Sequence, residues 1–172
     1  MNAHPWECPA CHYRLEYPPR DDLAPVCWHE AGHVLMRWAR GTGNLGTVCI
    51  HPDGTGYSAV ATEGLTIETE DNLLILMAGA TAEAGFLERL DIAAAVYEDF
   101  DAMRQLLTPD YLLRWLGGRF TQDEAMQYYY TWARQILWEH FDALEMLANA
   151  LEDRGVLTAQ ELHDFFADED DA

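Results

Sequence analysis

The longest apolar stretch covers residues 73–82 and is broken only by Gly79 and Thr81. It falls short of the roughly 20 apolar residues that span a bilayer, so it predicts a helix buried in a protein core. Further helices are expected over about 24–40, 70–90, 93–107, 109–116 and 122–153, with a short last one after Thr158. The punctuation agrees with these bounds. Pro25 is tolerated in a first turn, and Gly41-Thr42-Gly43 ends that helix. Thr108 stands before Pro109 as an N-cap, Thr121 and Glu124 have capping-box spacing, and so do Thr158 and Glu161. Gly155 suits a C-terminal cap. Between residues 47 and 62 the pattern changes. Val48-Cys49-Ile50 and Tyr57-Ser58-Ala59-Val60-Ala61 flank His51-Pro52-Asp53-Gly54-Thr55-Gly56, which has the turn residues of a hairpin. The expected fold is mainly α, with a small β-sheet or hairpin beside the first helix. No internal repeat is apparent.

Residues 1–23 differ from the rest. They are rich in Pro, aromatics and charge, and Pro18-Pro19 forbids a helix there. An extended arm ahead of a domain at 24–165 is the expectation, with 166–172 as an acidic tail. At 172 residues the chain fits one domain with a core of its own. The net charge of −20, from 10 basic and 30 acidic residues, argues against nucleic acid, which needs a basic face, and against anionic membrane surfaces. No basic segment followed by an apolar one opens the chain, so a cytoplasmic location is expected by default.

The chemistry concentrates in His29-Glu30-Ala31-Gly32-His33. On a helix, positions i and i+4 share a face, so His29 and His33 present two imidazoles to one point. Glu30 lies about 100° round the helix, where its carboxylate reaches a metal-bound water without taking a coordination site. Zinc lowers that water's pKa to about 7, and a carboxylate then takes its proton as it attacks a carbonyl. By chance the five-residue pattern would arise in such a chain on the order of a per cent or two of the time, so it is read as a site. Gly32 inside a helix is unfavourable by up to about 1 kcal/mol and predicts close packing against another element. A catalytic zinc takes three protein ligands and leaves the fourth place to water. The candidates for the third are Glu83, Glu98, Asp99 and Asp101, and spacing does not choose among them.

A resemblance does choose. Val26-Cys27-Trp28 followed by the His-Glu motif, then Val48-Cys49-Ile50-His51-Pro52-Asp53-Gly54-Thr55-Gly56-Tyr57, resemble the peptidase domain of FtsH-type, membrane-bound, ATP-dependent zinc proteases. Leu76-Met77-Ala78-Gly79-Ala80-Thr81-Ala82-Glu83 is similar to that family's Leu-x-Gly-Gly-Arg-Ala-Ala-Glu helix, and Glu98-Asp99-Phe100-Asp101-Ala102-Met103 to its Asn-Asp segment. The Leu-rich run from Leu144 and the turn before the last helix follow in the same order. The resemblance spans about residues 24–163. It implies Zn2+ held by His29, His33 and Asp99, with Glu30 as general base and Glu83 supporting the ligands. It also implies a hairpin beside the cleft, along which an extended peptide adds as a strand. The chain departs from the family at Ala78, Ala80 and Glu98, and has neither membrane helices nor a Gly-x-x-x-x-Gly-Lys phosphate loop. The implied activity is a zinc endopeptidase acting on peptides or unfolded protein segments, without ATP of its own. A homo-oligomer or an unfoldase partner fits the same resemblance. The rival expectation is a peptidase-fold interaction module that binds a protein partner with little or no turnover.

Cys8-Pro9-Ala10-Cys11 followed by His12 looks like half of a zinc knuckle, with His4 or His12 as a further donor. Cys27 and Cys49 are assigned to the peptidase-like part instead. Tyr128-Tyr129-Tyr130, Trp132 and Trp138 are expected in helix packing, His140 and His163 on exposed helix surface, and His51 in a turn.

Overall fold

The computed structural model describes residues 7–15, 18–42, 45–60, 67–86 and 94–170. Two helices form its centre. Helix α1 spans Ala24–Ala39 and α2 spans Thr69–Phe86; both are buried along most of their length, and they pack on each other. The apolar run from Leu73 to Ala82 is indeed a core helix, buried on all faces around Leu74 and Ala78. Burying a Leu or Met side chain such as Leu35, Met36 or Leu73 stabilises the fold by about 1.5–3 kcal/mol each. The close approach comes from Gly32. A Cβ there would lie 2.5 Å from the Ala78 carbonyl oxygen and 2.8 Å from the Ala82 Cβ.

Strands β1 (Leu45–Ile50), β2 (Gly56–Val60) and β3 (Val156–Leu157) form an antiparallel sheet in the order β2-β1-β3. The register pairs Cys49 with Tyr57 and Ile50 with Gly56 on one side of β1, and Cys49 with Val156 on the other. The turn is closed by His51 N–H donating to Thr55 O at 2.9 Å, with Gly54 at φ +82. Two-residue β3 carries no strand pattern of its own and is visible only through its pairing with β1.

The remaining helices are α3 (Ala94–Leu106), α4 (Pro109–Trp115), α5 (Gln122–Glu139), α6 (Phe141–Arg154) and α7 (Ala159–Asp170). Thr108 caps α4, Thr121 and Glu124 form a reciprocal capping box on α5, and Gly155 takes the left-handed conformation after α6. Thr158 and Glu161 exchange the same pair of bonds before α7.

The single helix expected over 122–153 is broken at His140, whose φ of −120 and ψ of 33 leave the helical region. The break lets α5 pack along α2 and α6 along α1, which one straight rod of that length would not do. His140 is therefore half-buried, its ring edge-on to Trp38, rather than an exposed helix residue. The C-terminal part also differs from expectation. Helix α7 runs past 165, and Phe166 is buried, stacked on Trp38 at 4.6 Å. The aromatic stretch splits by face, with Tyr129 buried and its hydroxyl 2.7 Å from that of Tyr111, while Trp138 is 65% exposed. Among the described residues no helix is long and apolar enough to cross a membrane.

Candidate metal centre

Helix α1 sets His29 and His33 one turn apart on the face turned towards α2, and α3 brings Asp99 over them. The two Nε2 atoms lie 3.0 Å apart, and Asp99 Oδ2 lies 3.0 Å from His29 Nε2 and 3.1 Å from His33 Nε2. All three donors belong to largely buried side chains, Asp99 keeping 16% of its surface. Of the other carboxylates open to this role, Glu98 and Asp101 are exposed, and Glu83 faces the far side of the His29 ring.

Space for this arrangement comes from α2. A Cβ on Gly79 would stand 2.6 Å from His33 Nε2 and 2.7 Å from His29 Nε2, so any side chain there would occupy the point on which the donors converge. The ring orientations are set from behind. His33 Nδ1 donates to the Ile75 carbonyl at 2.7 Å, which leaves its Nε2 lone pair facing the centre. Glu83, buried on α2, sets Oε2 3.6 Å from His29 Nδ1. That is too long for a hydrogen bond, but the carboxylate holds negative charge behind the ring.

The residues fit a cation. Asp99 Oδ2 and His29 Nδ1 are buried without a hydrogen-bond partner among the described residues. Two ring nitrogens and a carboxylate oxygen thus crowd one point with too few protons among them, a donor set that zinc accepts. Charge preference agrees. Burial opposes charge on His29, but Asp99 and then Glu83 push its pKa up to about 10. Burial likewise opposes charge on Asp99, yet its contacts with His29 and His33 hold the carboxyl well below the usual carboxylate range. The pocket is negative enough to retain a proton on a buried ring, and a divalent ion bound there would displace that proton.

Glu30 is buried beside this centre, under the start of β2. A Cβ on Gly56 would meet its Oε1 at 2.5 Å, so the glycine at the strand's first position is what admits the carboxylate. Arg37 is a residue the sequence reading missed. It lies one further turn along α1, donates from Nη1 to Ser58 Oγ at 2.8 Å, and carries a buried Nε with no partner among the described residues. Burial pulls its pKa down while Glu30 and Asp99 act in the opposite sense, so the guanidinium lies within electrostatic reach of both. The only sequence signal was its spacing of four from His33.

The N-terminal arm departs from expectation in its histidine. His12 is turned outwards, 79% exposed, and paired with Glu7 at 3.2 Å, so it joins no cluster of metal-type donors among the described residues; its backbone takes a left-handed φ of 60. His51, expected to be a plain turn residue, is buried instead, and its Nε2 lies 3.2 Å from Cys11 Sγ. His4 falls outside the described residues. Cys27 is buried in the core of α1. In comparisons with known proteins, no family model matches the chain and no curated protein matches it.

Proposed function

We propose that this chain is a zinc-dependent endopeptidase that hydrolyses peptide bonds in unfolded or flexible polypeptides and uses no ATP by itself. The observation that carries the proposal is the convergence of His29 Nε2, His33 Nε2 and Asp99 Oδ2 within 3.0–3.1 Å of one another, with Glu30 buried alongside. Held by these three residues, zinc would supply Lewis acidity, lowering the pKa of a water and polarising a carbonyl oxygen. Glu30 takes the proton of the attacking water and hands it to the departing amine. Glu83 and the Ile75 carbonyl keep the two rings aimed while this happens.

The sheet suits the substrate. Strand β2 is an edge strand, paired with β1 on one side, and its first residue lies against Glu30. An extended peptide laid along β2 would gain main-chain hydrogen bonds and pass over the carboxylate, with little demand on its sequence. Arg37, which donates to Ser58 Oγ of β2 at 2.8 Å, keeps a positive charge beside this strand. The same arrangement agrees with the resemblance to FtsH-type peptidase domains, in which the third ligand would correspond to Asp99.

The test is zinc content and cleavage of unfolded casein in the wild type and in Asp99→Ala. Zinc lost from this centre together with cleavage supports the proposal. Full cleavage by Asp99→Ala would overturn the ligand set, and a zinc-loaded wild type that binds unfolded chains without ever cleaving them would make the chain an interaction module.

A further inference from the structure

The N-terminal arm is folded back onto the sheet by a tight loop. Glu7 and Arg14 form a β-bridge, Cys8 N–H donates to Tyr13 O at 2.8 Å, and His12 N–H donates to Cys8 O at 2.9 Å. Inside this loop the amides of Ala10 and Cys11 point at the Cys8 sulfur and that of Tyr13 at the Cys11 sulfur.

The other half of the cluster comes from β1 and its turn. Cys49 is fully buried on β1, and its thiol interacts electrostatically with those of Cys8 and Cys11. His51 follows two residues later, and a ligand atom of Cys8, one of Cys11 and one of His51 lie within 4.8 Å of one another. All four cysteines are free thiols.

Behind His51 is a supporting chain of the kind metal-binding histidines use. Its Nδ1 lies 2.8 Å from Thr55 Oγ1, which donates to Asp53 Oδ1 at 2.8 Å. With the hydroxyl proton directed at the carboxylate, Thr55 accepts from Nδ1–H, and the Nε2 lone pair faces the thiols. Tyr13 of the arm stacks on the His51 ring at 4.1 Å and donates to Asp53 Oδ2 at 2.8 Å. Arm and turn therefore meet at one cluster of two sulfurs and one imidazole nitrogen, three donors of the kind that zinc takes.

We propose that Cys8, Cys11 and His51 bind a second zinc ion that staples the N-terminal arm to the β1–β2 turn. Its role is structural. Among the described residues no carboxylate belongs to this group of donors to act as a base, and the thiol-rich set is the kind that structural zinc takes. Binding involves no change of oxidation state; the two thiol protons leave to solvent as the sulfurs coordinate, and His51 binds as the neutral ring. The arm leads into α1, and the β1–β2 turn leads into Gly56 against Glu30, so the staple fixes two approaches to the catalytic centre.

The test uses the full chain with His29→Ala and His33→Ala, in which the catalytic centre holds no metal, so its result is independent of the peptidase proposal. Elemental analysis is expected to find one zinc per chain, lost when Cys11→Ser is added. X-ray absorption at the zinc edge of the wild type is expected to show sulfur neighbours, a readout that stands even where a variant does not fold. Zinc still bound after Cys11→Ser, a wild-type shell of nitrogen and oxygen alone, or a Cys8–Cys11 disulfide in place of the metal would each overturn the proposal.

Discussion

Single atoms decide the chemistry of the main centre. Glu30 is positioned by the absence of a side chain at Gly56, and the two imidazoles by the absence of one at Gly79. If Glu30 acts only as proton carrier, Glu30→Gln is expected to keep zinc content unchanged and to lower casein cleavage by about 10²- to 10⁴-fold. Zinc analysis and a cleavage assay on the same preparation check both halves. Gly79→Ala is predicted to behave oppositely. Its Cβ would press on both Nε2 atoms, so zinc affinity is expected to fall by about 10- to 100-fold, the scale seen when the groups that orient ligands are disturbed. Competition with a chelator reads that shift. The sequence identified His29, Glu30 and His33 as a unit because one helical turn joins them. It left the third carboxylate open, because Asp99 meets them only through the packing of α3 on α2.

Elements are where local signals were most legible. The first helix begins at Ala24 as expected, the capping boxes at Thr121 and Thr158 form, and Gly155 ends α6. These are short-range effects in which a side chain satisfies a backbone donor three residues away. The break at His140 had no such signal, since neither Gly nor Pro marks it. It follows from the need of two helical faces to reach two different partners. Helix α1 against α2 supplies the prediction at this scale. Gly32→Ala raises helix propensity by up to about 1 kcal/mol, but its Cβ would meet the Ala78 carbonyl at 2.5 Å, which a rigid helix cannot yield cheaply. Overpacking of about 1–3 kcal/mol outweighs the gain. Urea unfolding is therefore expected to show a less stable protein; a more stable one would mean that the helices separate freely.

On the scale of the whole molecule, the two ends of the chain close back on its centre. The arm docks on the β1–β2 turn through Tyr13, with Arg20 N–H donating to Pro52 O at 2.7 Å, and α7 closes over α1 through Phe166 on Trp38. A chain ending at residue 165 would lose that last contact. Phe166→Ala is predicted to lower unfolding free energy by about 3–5 kcal/mol, the range for emptying a buried aromatic site. Unchanged stability in thermal and urea unfolding would place the end of the folded unit before α7.

The sequence by itself determined the helical class, the hairpin turn, the caps and the two-histidine turn with its glutamate. Each depends on backbone periodicity and on neighbours within a turn, which the order of residues fixes directly. Tertiary structure alone decided which carboxylate joins His29 and His33, that His51 rather than His12 approaches Cys8 and Cys11, and that Val156 and Leu157 add a third strand. Those pairings join segments far apart in the chain. They are selected by how buried faces pack, a property of the whole set of contacts and of no local pattern.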